Sequence, residues 1–174
     1  MLKKITLLSL LIVALGSQIH GQEFEKPSEG KSLVYFVRFS GTGALINFKY
    51  FDGDQYLGKM NGVNYFLYEC DPGEHIFWAA AENRDFIKGD LQPNSTYVVE
   101  VRPTMGAFKA AVRLHPVAPD NEKALKRVKK IMSKRTPSTL KGLDEDMDFF
   151  IKNGMERYED IKAEAKVIDG SWTF

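Results

Sequence analysis

Cysteine is nearly absent from this chain of 174 residues, in which Cys70 stands alone. One cysteine cannot form an internal disulfide, so the sequence predicts a fold that is held together by its apolar core. Cys70 also lies far from the apolar run near the N-terminus, where a diacyl lipid anchor would need a cysteine. We therefore expect that the protein is not a lipoprotein.

Histidine is scarce as well, and beyond residue 22 only His75 and His115 remain. A zinc site needs several ligands close to the metal, and no CxxC or HExxH pattern supplies them. The sequence also has no G-x-S-x-G, phosphate-loop or dinucleotide-binding motif. It therefore predicts no metal site, no cofactor and no catalytic residue.

An excess of charge of one sign is missing too, since 24 Lys and Arg stand against 23 Asp and Glu, for a net charge of +1. Lys3 and Lys4 are the only charged residues among the first 22, so the rest of the chain has 22 basic and 23 acidic residues, or −1. Proteins that bind nucleic acid usually have a clear basic excess. We expect no nucleic-acid partner.

A short apolar run is the clearest signal that is present. Two lysines precede residues 5–15, and small residues follow them. The run is too short for a membrane-spanning helix, which needs about 20 apolar residues. A buried N-terminal strand or helix is the alternative, but the pattern favours a signal peptide over 1–21, with cleavage after Gly21 preferred to cleavage after Gly16. We expect an exported, soluble protein of the periplasm or the exterior.

Residues 31–117 have the pattern of a β-domain. Short runs rich in β-branched and aromatic residues alternate with turn signals, which are Asp52-Gly53, Asn61-Gly62 and Asp71-Pro72-Gly73. Asp-Gly between two such runs indicates a hairpin, because glycine tolerates the positive φ of tight turns. About eight short strands are typical of a small antiparallel β-sandwich or barrel.

The character of the sequence changes at residue 119. Helical spacing of apolar residues predicts helices over about 121–133 and 143–166, with Asn153-Gly154 as a break in the second. The apolar C-terminal residues are expected to pack back onto the domain. The sequence therefore predicts an amphipathic helical tail over 119–174.

Both predicted helices carry a charged stripe. The basic residues of the first are Lys123, Lys126, Arg127, Lys130 and Lys134. The acidic residues of the second are Asp144, Glu145, Asp148, Glu156, Glu159 and Asp160. A basic stripe suits an anionic membrane surface or lipid A phosphates. A helical hairpin with complementary charged sides would explain both stripes without a partner.

Two further patterns have a functional and a structural interpretation. Cys70 and His75 flank the 71–74 turn, so they could form a nucleophile and base, although a lone cysteine is more typical of a buried strand. Exposed tyrosines could stack on sugar rings, although aromatic residues more often fill the faces of a sheet. The tyrosines in question are Tyr35, Tyr50, Tyr56, Tyr65, Tyr68 and Tyr97.

Residues 31–117 also resemble a bacterial family known as domain of unknown function 2846. The matching segments are Leu33-Val-Tyr-Phe-Val-Arg38, Gly58-Lys-Met-Asn-Gly62 with Tyr65-Phe66, Asp71-Pro-Gly-Glu-His75 and Leu91-Gln-Pro-Asn-Ser-Thr-Tyr97. The resemblance implies a prealbumin-like or carboxypeptidase-regulatory-like sandwich, often exported, and implies no activity.

These observations lead to three hypotheses about function. The first is a non-enzymatic binding or structural module of the cell envelope, with an envelope protein or a glycan as its partner. The second is a protein that contacts an anionic membrane surface through the basic helix at 121–135. The third is a cysteine-dependent enzyme.

Overall fold

The computed structural model describes residues 23–106 and 110–174, which form two β-sheets and two helices. The strands are β1 (Ser32–Arg38), β2 (Phe48–Asp52), β3 (Gln55–Met60), β4 (Asn64–Cys70), β5 (Gly73–Ala80), β6 (Arg84–Leu91), β7 (Ser95–Met105), β8 (Ala110–Pro116) and β9 (Lys166–Ile168). The helices are α1 (Glu122–Met132) and α2 (Asp148–Ile161). The predicted β-sandwich with helices at its C-terminal side is confirmed. The predicted signal peptide, 1–21, lies outside the described residues.

The two sheets have the strand orders β4-β1-β7-β8 and β3-β2-β5-β6-β9. Most neighbouring strands are antiparallel, but β1 pairs with β7, and β6 with β9, in parallel. The sandwich is therefore mainly antiparallel, as predicted, with two parallel pairs that the prediction did not include. Turn signals reveal hairpins, whereas parallel pairs join strands that are distant in sequence, so local patterns do not reveal them.

Strand β1 explains why the sandwich needs additional layers. Its alternate residues Val34 and Phe36 point into the core between the sheets. Leu33, Tyr35 and Val37 point to the outer face, and all seven residues of the strand are buried. Because the outer face is as apolar as the inner one, it must be covered by another element.

The helices provide these outer layers, one on each sheet. Ala124, Val128 and Met132 of α1 are buried against the outer face of the four-stranded sheet. Tyr158 of α2 is buried in a different cluster, with Trp78 on the outer face of the five-stranded sheet. The layers are therefore helix, sheet, sheet, helix. The predicted helical hairpin is wrong, because each helix covers a separate apolar face.

The connection between the helices crosses the open edge of the sandwich. The Ser138 amide donates to the Tyr65 carbonyl in β4 (2.8 Å). Lys59 in β3 and Lys141 exchange two backbone hydrogen bonds, of 2.9 and 3.0 Å. The connection therefore pairs with the edge strands of both sheets, which protects their backbone groups from pairing with another chain.

The C-terminal residues return to the first sheet. After α2, β9 pairs with β6 in the five-stranded sheet. The Phe174 amide then donates to the Thr96 carbonyl in β7 (3.0 Å), and the Phe174 ring lies 4.9 Å from that of Phe24. The expected return of the C-terminus onto the domain is confirmed. Residues 117–174 thus encircle the sandwich, and we call this segment the C-terminal belt.

The second helix differs from its prediction in two places. It runs through Asn153-Gly154 without a break. Gly154 is buried there, and a Cβ at this position would lie within 2.9 Å of Trp78 Cζ2, so glycine is needed for close approach and not for helix termination. The helix ends at Ile161, and residues 166–168 form β9.

The strand connections separate into two ends of the sandwich. The connections after β1, β3, β5 and β7 leave at one end, which we call the loop end; there the Gly62 amide donates to the Ala44 carbonyl (2.8 Å). The connections after β2, β4 and β6 lie at the opposite end, which we call the turn end.

Candidate functional site

Helix α1 is positioned by its start and by its apolar side. The Asn121 side chain accepts a hydrogen bond from the Ala124 amide (3.1 Å) and so caps the first turn. Glu122 lies in the first turn, and Lys129 and Lys130 lie in the last, where the helix dipole favours them. The helix therefore starts where the sequence predicts and presents its basic side away from the sheet.

A buried carboxylate attaches the middle of α1 to the sheet. Arg127 Nε donates to Glu100 Oε1 (2.8 Å), and its Nη2 donates to Oε2 (2.9 Å). Arg102 Nε donates to the same Oε2 (3.1 Å), and the Glu100 side chain is fully buried. Burial alone would raise the pKa of Glu100, but the bonds from Arg127 and Arg102 outweigh burial and lower it. Glu100 is therefore a buried anion between two arginines.

This bond removes Arg127 from the predicted anion-binding set. Its guanidinium is occupied by both oxygens of Glu100, and it also lies 5.2 Å from the centre of the Phe39 ring. The role of Arg127 is to attach the helix. Sequence reasoning missed the pair because Glu100 lies in a strand 27 residues earlier.

The four predicted lysines remain exposed, three of them on the outer side of α1. Lys123, Lys126, Lys130 and Lys134 are all exposed. Within residues 23–106 and 110–174, none of them forms an ion pair with an acidic side chain. Lys123, Lys126 and Lys130 follow the side of the helix opposite the buried Val128, and Lys134 lies two residues after the helix ends. We call these four residues the lysine ridge.

The acids that were expected to neutralise this ridge lie on the other face of the molecule. They belong to α2 and the segment before it, which cover the five-stranded sheet. Two of them have local partners, since Lys162 bonds Glu159 (2.7 Å) and Arg157 lies 3.7 Å from Asp160. Glu145 pairs with Lys59 of β3. The two helices therefore do not neutralise each other.

A second group of polar residues lines a cavity of about 390 Å³ at the turn end. His75 Nδ1 contacts Asp52 Oδ2 (2.7 Å), and His75 Nε2 contacts the Asp71 carbonyl (2.8 Å). Tyr68 Oη donates to Asp52 Oδ2 (3.1 Å). The hydrogen bond with Asp52 is the main cause that raises the pKa of His75 to about 10, with a smaller contribution from Cys70. The ring is therefore a cation at neutral pH.

This arrangement bears on the Cys70 and His75 hypothesis. Cys70 is buried, and its Sγ lies 3.8 Å from the Ser32 carbonyl, to which it donates. Both ring nitrogens of His75 are already bonded, to Asp52 and to Asp71. A side-chain hydrogen bond with Cys70 also raises the pKa of His75, so the two side chains are neighbours, but an imidazolium that already holds both protons cannot accept another. The geometry therefore fits a structural ion pair better than a nucleophile and base.

The six tyrosines considered for sugar stacking do not form an exposed platform. Tyr35, Tyr50, Tyr65 and Tyr97 are buried, and Tyr56 and Tyr68 are half-buried. The Tyr35 ring, for example, stacks on that of Tyr65 with centres 6.1 Å apart, under α1. The interpretation of these residues as core packing therefore accounts for their positions.

Sequence reasoning missed a buried arginine at the loop end. Arg38 is fully buried and donates to the carbonyls of Ile46 (2.9 Å), Gly43 (2.7 Å) and Thr42 (3.2 Å). Its guanidinium lies 3.9 Å from the centre of the Phe48 ring, and burial lowers its pKa. The sequence does contain a signal for this buried site, because Arg38 ends a strand that is otherwise mostly apolar.

The described part of the chain contains no group of three His, Cys, Asp or Glu side chains that could hold a metal ion. Nor does any helix in it combine the length and the apolar character needed to cross a bilayer. No protein-family model matches the chain, and no curated protein matches it with significant similarity. The resemblance to the bacterial family named above stays a prediction, and function must be argued from the surfaces themselves.

Proposed function

We propose that this chain is an exported, non-enzymatic binding module of the cell envelope that attaches to an anionic surface through the lysine ridge. The observation that supports this is the exposure of Lys123, Lys126, Lys130 and Lys134 without an acidic partner among the described residues. A helix that neutralised its own ridge with acids from α2 would not need a partner.

The packing of α1 determines how such a surface would be bound. Val128 and Met132 are buried against the sheet, so the apolar side of the helix is not available for insertion into lipid. The contact would be electrostatic and peripheral. Each lysine near an anionic bilayer contributes about 1 kcal/mol, so the ridge contributes about 4 kcal/mol, which corresponds to roughly millimolar affinity. Binding of this kind is weak and decreases as salt screens the charges.

The proposal that the module is non-enzymatic rests on the polar cavity. Its histidine is bonded at both nitrogens, and its cysteine donates to a backbone carbonyl. An envelope protein as partner remains compatible with the same ridge if its surface is acidic. The experiment below separates a lipid surface from such a partner.

The test is sedimentation with vesicles of phosphatidylglycerol mixed with phosphatidylcholine, and of phosphatidylcholine alone. The chain is purified with its own N-terminus, and mass spectrometry determines the first residue, so that every variant is compared in the same form. We expect binding to the anionic vesicles only. The triple variant Lys123→Gln, Lys126→Gln, Lys130→Gln should bind at least tenfold more weakly, because three such contacts are worth roughly 3 kcal/mol.

A matched control removes the same charge elsewhere. Lys141 in the connection before α2, Lys152 in α2 and Lys162 directly after it are exposed, and their replacement by glutamine should leave vesicle binding close to that of the wild type. Equal losses in the two triple variants would mean that only net charge matters and would contradict the proposal. The proposal would also be contradicted if the wild type bound phosphatidylcholine vesicles as strongly as it binds the anionic vesicles.

A further inference from the structure

The loop end has a surface unlike that of the rest of the molecule. Leu45 is 92% exposed and Met105 is 87% exposed, which makes them the most exposed large apolar side chains of the described residues. Leu45 lies in the β1–β2 loop, and Met105 ends β7. The β1–β2 loop adjoins the end of β7, because a Cβ on Gly43 would meet the side chain of Ala110, the strand partner of Met105.

The exposure of Leu45 is a property of a fixed loop. Three carbonyls of residues 42–46 accept hydrogen bonds from the buried Arg38 guanidinium. The Ala44 amide also donates to Gly41, and the Ile46 amide donates to Gly43 (3.0 and 2.9 Å). Burying an arginine without a carboxylate is costly unless its donors are bonded. Both Nη nitrogens of Arg38 are bonded to loop carbonyls, whereas its Nε has no partner among the described residues. Here the bonds hold a loop that points a leucine into solvent, so the apolar tip is preorganised.

Charge is distributed unequally between the two ends. Among the described residues, the connections of the loop end, residues 39–47, 61–63, 81–83 and 106, contain one acid and no base. The turn-end segments 28–31, 52–55, 71–74 and 90–95 contain six acids and one base. An anionic surface therefore repels the turn end and not the loop end.

The C-terminal part of α1 also leads toward the loop end. The connection that follows the helix bonds Tyr65, one residue into β4, which starts at that end. Arg127 lies over Phe39, where β1 enters the Leu45 loop. The C-terminal half of α1, with Lys130, therefore lies toward the same end of the molecule as the Leu45 loop.

We infer that the loop end is a membrane-docking surface, in which Leu45 and Met105 insert into the interface of an anionic phospholipid bilayer while the lysine ridge contacts the headgroups. The inference rests on the proposed function and names a lipid bilayer as its partner. Insertion of apolar loop tips complements weak electrostatic attraction, since the two kinds of contact add in peripheral binding.

The test uses the same vesicles with the double variant Leu45→Ser, Met105→Ser. We expect at least tenfold weaker binding to anionic vesicles than for the wild type. The matched control is Phe149→Ser, because Phe149 is 79% exposed on α2 and covers the other face; it should bind as the wild type does. An environment-sensitive dye on Leu45→Cys should shift to the blue on vesicles, and the same dye on Phe149→Cys should not.

The outcomes separate this inference from the proposed function. If the lysine triple variant loses binding and the Leu45, Met105 variant keeps it, insertion is overturned and the proposed function stands. If the wild type binds no vesicle, both are overturned. If soluble polyphosphate binds with the same affinity as vesicles and the dye on residue 45 does not shift, the partner is a free polyanion, and the docking surface is overturned.

Discussion

The imidazolium of His75 links the two strand connections at the turn end. It bonds Asp52 at the end of β2 through Nδ1 and the Asp71 carbonyl after β4 through Nε2. The ion pair of His75 with Asp52 therefore links the β2–β3 hairpin of the five-stranded sheet to the β4–β5 connection, which comes from the four-stranded sheet. Its side chains are mostly buried, with exposed fractions of 13% and 11%, so the contact is screened less by solvent than a surface ion pair.

Replacement of Asp52 by asparagine should therefore destabilise the protein in a pH-dependent way. The pKa of His75 is raised from 6.5 to about 10 in the fold. The stabilisation is therefore fully present below about pH 6.5 and is lost as the pH rises through about 10. We expect Asp52→Asn to lower the free energy of unfolding by about 2 kcal/mol at pH 6, the value of a charged hydrogen bond, and by much less at pH 10.5.

Urea unfolding at both pH values measures this difference. The comparison at pH 10.5 is the internal control, since there the wild type has also lost most of its imidazolium. The same loss of stability at pH 6 and pH 10.5 would show that the contact does not depend on charge, and the ion-pair interpretation would then be wrong.

At the scale of elements, the contact between α2 and its sheet depends on Gly154. A Cβ at residue 154 would overlap the ring of Trp78, which is itself stacked on Phe51 with centres 3.8 Å apart. Alanine is a better helix former than glycine by about 1 kcal/mol. Overpacking of a filled site costs about 1–3 kcal/mol. We expect the steric effect to win, so that Gly154→Ala lowers the free energy of unfolding.

Asn153→Ala is the matched control, because it changes helix propensity one residue away from the Trp78 contact. It should be neutral or slightly stabilising by the same denaturation measurement. A Gly154→Ala variant that gains stability as Asn153→Ala does would show that α2 does not pack closely on Trp78.

Local elements were predicted well because their signals are local. Asp52-Gly53 predicts the β2–β3 hairpin, and Asn121 lies at the predicted start of α1. Strand β9 was not predicted, because its three residues have no pattern of their own and pair with β6, which lies about 80 residues earlier in the chain. Such elements are determined by tertiary contacts, which override local propensity.

In the candidate site too, residues with a local sequence signal were predicted, and residues placed by tertiary contacts were not. The spacing of Lys123, Lys126 and Lys130 predicts one exposed side of a helix, and the structure places them there. The same spacing included Arg127, whose position over Glu100 depends on the fold. The exposure of Leu45 could not be predicted either, because it follows from the bonds of Arg38 to the loop carbonyls.

At the scale of the whole molecule, the C-terminal belt is part of the fold rather than an appendage. It covers the outer faces of both sheets with α1 and α2 and lines the edge strands between them. Each large apolar side chain that it buries is worth about 1.5–3 kcal/mol. Several such residues on each face add up to more than the net stability of a domain, which is about 5–15 kcal/mol.

A chain that ends at Val117 should therefore fail to fold cooperatively, although it retains β1 to β8. It would expose the outer faces of both sheets, including Tyr35 and Trp78, and we expect it to aggregate or to unfold without a transition in urea.

A chain that ends at Gly170 is the control, since it keeps α1, α2 and β9 and loses only the last contacts of the belt. It should unfold cooperatively at a slightly lower urea concentration than the 174-residue chain, as followed by near-ultraviolet circular dichroism and by tryptophan fluorescence, to which Trp172 also contributes in the longer chain. A chain ending at Val117 with a native near-ultraviolet spectrum and a sharp transition would show that the sandwich is autonomous, and the belt would then be a separate, removable layer.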